Sequence, residues 1–547
     1  MPTRRRPPSP SRPPARAAGR NGAVASAHPL ASAAGLKVLK GGGNAVDAAV
    51  ATSLALGVVA PAFSGLGGGG FFLVHLHHGE TLFIDYREVA PGRSTPEMFP
   101  LDEDGTPPGF ANSMGYRAVG VPGTVAGLSY ALENYGTMKF RDVAAHAIGY
   151  ARKGFEVSGF LGHIVSNNVD NATTKFRRFP ESGRNWLRAG RPYRAGELKR
   201  NAELATSLEL IASQGSDAFY RGPLGRAVVE DLARNGGLVE ASDLEGYRVE
   251  VRRPARTTYR GLEVLTMPPP SIGGVTAVEL LNIFEDMDLG ASGLNTPETI
   301  AAMARAISVV WPPLRKQVAD PAFVPCDLAR LCSKDYAAKL WFGRGERGAA
   351  QAAAPGSQTT HLSVVDKDRN VAALTESIEC YFGSGVVAPG TGFFLNDTMH
   401  DFDPRPGGPN SIAPGKRPVS NMMPTLLLRD GEPYLVAGSA AGPRIVTATV
   451  QTILNVVDHG LDVQAAVDAP RFHFQGSGAT VKVEGRIAAR TRKRLGELGF
   501  ETEAPNYVQL RPGFDAYFGG VHAILAGPRG ELRGGADPRR QGAVAAY

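Results

Sequence analysis

Residues 358–377 read QTTHLSVVDKDRNVAALTES. Two runs of aliphatic and β-branched residues flank the polar turn DKDRN, so the stretch predicts a β-hairpin over 359–377. Ahead of it, residues 343–358, GRGERGAAQAAAPGSQ, are low in complexity and predict a flexible linker. A linker that runs straight into Thr359-Thr360 at the start of a strand is suggestive. If the bond before Thr359 were cut, one residue would carry both a hydroxyl and a free α-amine. A Thr hydroxyl needs a base, and an N-terminal amine with a pKa near ~7.7–8.0 can accept its proton near neutral pH. That is the threonine form of triad chemistry. Spacing alone leaves the idea weak, because Thr commonly begins strands.

Working outward, His28-Pro29 predicts a small-residue helix stopping at Gly41-Gly42-Gly43, and Asn44 can N-cap the next helix, AVDAAVA. A glycine loop at 64–70 then leads into strands at 71–77 and 81–86. Residues 120–240 read mainly as helices. Strands are expected at 247–252 and 259–266, and helices at 274–286 and 297–310. Downstream, TLLLRDGEPYLVAG is a hairpin turning at Asp430-Gly431, followed by a helix at about 444–458 and a strand at 521–526. Strands and helices come in blocks, which predicts layered packing. No repeat of 20–50 residues is present.

The chain has 547 residues, 59 Lys+Arg against 52 Asp+Glu, and a formal charge of +7. Hydrophobic residues at 43% and charged residues at 20% are globular values and exclude wholesale disorder. Six of the seven net positive charges fall in residues 1–20, which hold six arginines, six prolines and no acid. That segment predicts a disordered tail. No aromatics interleave with its arginines, so a leader without a role in chemistry is favoured over a nucleic-acid arm. No apolar stretch of ~7–15 residues follows Arg4-Arg5-Arg6 as a secretion signal requires. The most apolar run, 45–63, is interrupted by Asp47 and falls short of the ~20 residues of a membrane span. The expected location is cytoplasmic, with no membrane or nucleic-acid partner.

Other motifs carry little chemistry. Gly65-x-Gly67-x-x-Gly70 matches a dinucleotide fingerprint literally, but it follows a helix and opens a strand, the reverse of the required order. It reads as a loop permitting close backbone approach. His75, His77 and His78 have no further ligand at metal spacing and read as a solvated strand end. Cys326 and Cys332 read as free thiols.

The motifs GGGNAVDAAVAT (41–52), SGLGGGGFFLV (64–74), DYREVAP (85–91), VPGTVAG (121–127), YRGLEVLTMPPPSIGG (259–274), TTHLSVVDKD (359–368), FGSGVV (382–387), KRPVSNMMPT (416–425), APRFH (469–473) and GGADPRR (534–540) occur in this order. Together they resemble the γ-glutamyltranspeptidase (glutathione hydrolase) family of N-terminal-nucleophile hydrolases over about residues 21–547. The resemblance implies an α+β fold, a four-layer αββα sandwich. It also implies self-cleavage at Gln358-Thr359 into a large subunit, 21–358 after the tail 1–20, and a small subunit, 359–547. The two products would form a heterodimer acting on a small γ-glutamyl amide, with no cofactor and no metal.

The resemblance assigns roles to named positions. Thr359 matches the nucleophile, and Ser377 the second catalytic hydroxyl, where the family usually has Thr. Arg87 matches the arginine that clamps the substrate α-carboxylate, a task suited to a guanidinium. Ser420 and Asn421 match a carboxylate-binding serine pair, and Asp401 the acid that meets the α-ammonium. Ala441 and Gly442 match the oxyanion hole, usually Gly-Gly, whose N–H donors survive if Ala441 tolerates the local dihedrals. Three departures touch the substrate: Glu379 stands where Asn is usual, Thr398 where Gln or Glu is frequent, and Asn421 where Ser is usual. Glu379 could compensate for Thr398 by moving the acid across the pocket. The alternative is a changed acyl group, that of an acylase or of a carbon–carbon bond hydrolase in specialised metabolism.

Overall fold

The computed structural model describes residues 16–77, 79–343 and 358–547. Fourteen strands build its two large sheets. In chain order they are β1 Arg16–Gly19, β2 Gly22–Ser26, β3 Gly69–His75, β4 Thr81–Asp85, β5 Glu250–Arg252, β6 Ala255–Tyr259, β7 Leu262–Thr266, β8 Gln358–Asp366, β9 Val371–Glu379, β10 Thr425–Arg429, β11 Glu432–Gly438, β12 His522–Ala526, β13 Leu532–Ala536 and β14 Ala543–Ala546. One sheet has the order β14-β2-β8-β9-β3-β4-β5, the other β1-β13-β12-β11-β10-β7-β6.

Alternation along the strands explains the layers. On β3, Phe72 and Val74 pack with Leu362 and Val364 against the helices Pro29–Lys40, Ala45–Val59 and Thr124–Tyr135. Phe71 and Leu73 face the other way and share a core with Val264, Leu427 and Val436 of the second sheet. Helices Ile272–Phe284, Pro297–Gln317 and Arg444–Val457 join that core. The result is the expected α+β, four-layer αββα sandwich. The stacked sheets meet closely: a Cβ on Gly438 of β11 would lie 2.3 Å from the His361 ring on β8.

Local signals hold at several elements. Asn44 caps Ala45–Val59 in a capping box with Asp47. Asp430 and Gly431 both adopt positive φ at the β10–β11 turn, as a type I′ hairpin requires. Other expectations need correction. The strand expected at 259–266 is interrupted at Arg260-Gly261, which turn with φ of 50° and 76° to make the β6–β7 hairpin. The helix expected at 297–310 runs on to Gln317 through Pro312 and Pro313, because Trp311 and Leu314 are buried there. Strands β13 and β14 were not foreseen. Residues 16–19, placed in the tail by composition, instead form an edge strand on β13, which pairs their backbone groups. The rest of the tail (1–15) and linker residues 344–357 lie outside the described residues.

His75 is buried rather than solvated, with Nδ1 2.8 Å from Thr81 Oγ1. His77 pairs with Glu432 at 2.9 Å. His78 lies outside the described residues. Cys326, Cys332 and Cys380 are free thiols. No helix among the described residues is long and apolar enough to cross a membrane.

Candidate active site

The hairpin β8–β9 pairs in regular register from Val365 opposite Val371 up to Thr360 opposite Glu376, then slips, so that Gln358 faces Glu379. This β-bulge lies at the Gln358-Thr359 bond; such irregularities re-aim groups locally. Alternation puts Thr359 on the inter-sheet side with His361 and Ser363. In the uncut chain Thr359 is only 3% exposed. The preceding residue, Gln358, continues the strand and is itself buried.

Ser377 serves both sides of the slip. Its hydroxyl donates to the Gln358 carbonyl at 2.5 Å, and its Oγ accepts from the Glu379 N–H at 2.8 Å. The glycine loop approaches this position closely as it enters β3, the neighbour of β9: a Cβ on Gly68 would lie 2.2 Å from the Ser377 carbonyl. The close-approach reading of the loop therefore holds.

Two residues that sequence reasoning missed also grip the junction. Arg540 donates from Nη2 to Gln358 Oε1 at 2.6 Å and from Nη1 to the Thr359 carbonyl at 3.2 Å. The Gln358 amide donates to the Tyr507 hydroxyl at 3.2 Å, and that hydroxyl donates to Asp170. Arg540 ends the quoted GGADPRR motif, which was the available signal. Tyr507 lies in a segment without one.

Arg87 is wholly buried, and its Nη1 donates to Glu88 at 3.1 Å while Nη2 donates to Asp401. The carboxylate clamp and the ammonium acceptor of the sequence reading are thus paired with each other. Arg87 Nε is buried with no acceptor. Glu88, also missed, has its carboxyl pushed up to about 7, by burial above all and against the opposing pull of Arg87. Glu379, buried with φ of 78°, adds further negative charge beside Arg87. Glu379, His400 and Asp401 bring ligand-type atoms within 4.8 Å of one another. A guanidinium already bonded to Asp401 opposes a cation there.

Ser420 Oγ accepts from the Met422 N–H at 3.1 Å, which leaves its hydroxyl proton to donate elsewhere. Asn421 is half-buried beside it, its carbonyl 2.3 Å from where a Cβ on Gly273 would stand. Thr398 is fully buried, with no partner for its hydroxyl.

Ala441 and Gly442 both have positive φ, 89° and 53°, and stand just before helix Arg444–Val457. Among the described residues nothing accepts a hydrogen bond from either N–H. Two unpaired N–H groups at a helix start suit a developing negative charge.

A family model for Gamma-glutamyltranspeptidase matches residues 31–547. The chain is 38% identical over 546 residues to a glutathione hydrolase proenzyme of Escherichia coli K12, covering 95% of this chain and 90% of the relative. It is 37% identical over 542 residues to the Acylase ACY 1 proenzyme of Pseudomonas sp. SE83, covering 96% and 93%. The crystal structure of a cephalosporin acylase from Bacillus halodurans superposes with a TM-score of 0.87 at 30% identity, covering 100% of this chain and 99% of that one.

Proposed function

The chain belongs to the γ-glutamyltranspeptidase family, and from that premise we propose that it is a self-processing γ-glutamyl transferase and hydrolase with Thr359 as nucleophile. The observation that carries the reading is the Ser377 hydroxyl bonded to the Gln358 carbonyl at the β-bulge. A donor there stabilises the negative charge that forms on that oxygen under attack.

Processing then runs as an acyl shift. Thr359 Oγ attacks the Gln358 carbonyl carbon, an ester forms, and the C–N bond breaks to free the Thr359 amine. Water hydrolyses the ester, leaving a carboxylate on Gln358. In turnover the new α-amine takes the Oγ proton as Thr359 attacks the γ-amide of a small donor such as glutathione. The proton passes to the leaving amine. The N–H groups of Ala441 and Gly442 hold the oxyanion. Water or an acceptor amine resolves the acyl-enzyme. The two chains stay together as a heterodimer of 21–358, with its leader, and 359–547.

The donor's acyl head would be held by Arg87, Ser420 and Asn421 at its carboxylate and by Asp401 and Glu379 at its ammonium. Substrate binding then has to replace the Arg87–Asp401 bond with one contact to each partner. A second reading, an acylase for a different amide, is favoured by the excess of acid around Arg87.

A denaturing gel and an anilide assay test the proposal. The chain should convert to two bands, release nitroaniline from γ-glutamyl-p-nitroanilide, and do neither as Thr359→Ala. Turnover that survives in Thr359→Ala rules the nucleophile out. Processing without anilide release selects the acylase reading.

A further inference from the structure

Arg540 is 4% exposed, its guanidinium packs 5.3 Å from the Phe63 ring, and its Nε has no acceptor. Among the described residues no carboxylate pairs with it. The four other buried arginines among the described residues, Arg87, Arg417, Arg471 and Arg539, each have an acid partner at hand. What compensates Arg540 is neutral: the Gln358 carboxamide at 2.6 Å and the Thr359 carbonyl at 3.2 Å. Tyr507 completes the cradle by accepting from the other end of the same carboxamide.

Gln358 is the residue that the proposed cleavage turns into a free chain end. Once it withdraws, a buried cation loses its shortest hydrogen bond beside the nucleophile. Burying an unpaired charge is costly, so the vacated cradle favours an anion. A carboxylate fits: one oxygen can replace Gln358 Oε1 on Arg540 Nη2, and the other can accept from the Tyr507 hydroxyl once that hydroxyl gives up its bond to Asp170. We infer that cleavage opens a carboxylate-binding subsite, formed by Arg540 and Tyr507, for a carboxylate carried by the substrates themselves. The inference rests on the cleavage proposed above. The single free carboxylate of the donor's γ-glutamyl group is assigned above to Arg87, Ser420 and Asn421, so the carboxylate that fits here is the far end of a peptide acceptor.

The test compares processed wild type with Arg540→Gln and Arg540→Lys. The donor is γ-glutamyl-p-nitroanilide, and the acceptor is glycylglycine or glycylglycinamide. Arg540→Gln should raise KM at least tenfold for glycylglycine, with kcat changed less, and Arg540→Lys should recover part of the loss. A rise for glycylglycine but not for its amide supports the subsite; a rise for the anilide alone overturns it. Unchanged KM for all three overturns the inference.

Arg540→Gln that stays uncut is covered by calorimetry on uncut chains, with L-glutamate and glycylglycine as probes. Thr359→Ala, in which Gln358 fills the cradle, should bind neither there. Thr359→Ala with Gln358→Ala should gain binding of glycylglycine, and adding Arg540→Gln should abolish it. Equal binding by the first two chains overturns the inference. Calorimetry does not depend on cleavage, whereas a wild type that never cuts sinks the functional reading by itself.

Discussion

Ser377→Ala removes one hydroxyl that makes two bonds at the proposed processing junction, Gln358-Thr359. The first is the 2.5 Å bond to the Gln358 carbonyl. Deleting a donor aimed at a developing oxyanion costs about 2.7–4 kcal/mol of activation energy, or ~10²–10³ in rate. The second is acceptance from the Glu379 N–H at 2.8 Å. An orphaned buried N–H costs about 1–3 kcal/mol of stability, borne by precursor and transition state alike, so it should not add to the rate effect. Freshly purified precursor is followed on a denaturing gel as the 547-residue band gives way to pieces of 358 and 189 residues. Ser377→Ala should process at least a hundredfold more slowly, and Ser377→Thr, which keeps the hydroxyl, within about tenfold of wild type. Ser377→Ala processing within a factor of about two of wild type would refute the assignment of this hydroxyl to the scissile carbonyl.

Three further outcomes are expected. Ala441 holds φ of 89°, a strained value for a residue with a Cβ, so Ala441→Gly should raise stability by about 1 kcal/mol and Tm by roughly 1 °C for a chain of this size; a lower Tm in calorimetry contradicts the strain. Glu379→Gln should raise KM about tenfold for γ-glutamyl-p-nitroanilide but leave glutaryl-p-nitroanilide, which lacks the ammonium, unchanged, and equal effects on both would remove Glu379 from ammonium binding. Glu376, buried and accepting from Ser53 and Tyr86, has its carboxyl raised from 4.5 to about 7 by burial. The folded state therefore holds its proton more tightly than the unfolded one. The stability this contributes is full below about 4.5 and is lost as pH rises to about 7, a change of roughly 3 kcal/mol. Glu376→Gln should gain on wild type in Tm scans between pH 5 and 8, and a gap that stays constant would show that Glu376 does not titrate there.

The hairpin at 359–377 was legible because both β8 and β9 carry long apolar runs broken by one polar turn. Asn44 and Asp430-Gly431 were legible because their signals are local. What escaped depends on distant partners. Strand β1 offers only Arg-Ala-Ala-Gly and becomes a strand because β13 is there to pair with it. The Arg260-Gly261 turn sits inside a stretch with continuous strand propensity. Position-by-position resemblance pointed to Thr359, Ser377, Arg87 and Asp401. It could not show that Arg87 and Asp401 pair with each other, nor that Arg540, 182 residues from Gln358, reaches it.

The strand order carries a consequence for the cleaved protein. A cut before Thr359 leaves β14, β8 and β9 on one piece and β2, β3, β4 and β5 on the other, so β2 is clasped between two strands of the opposite chain. The second sheet is likewise divided, with β1 and β7 of the first piece flanking the block β13-β12-β11-β10 of the second. The pieces are woven rather than docked. Dilution should not part them, and their separation and their unfolding should be one event.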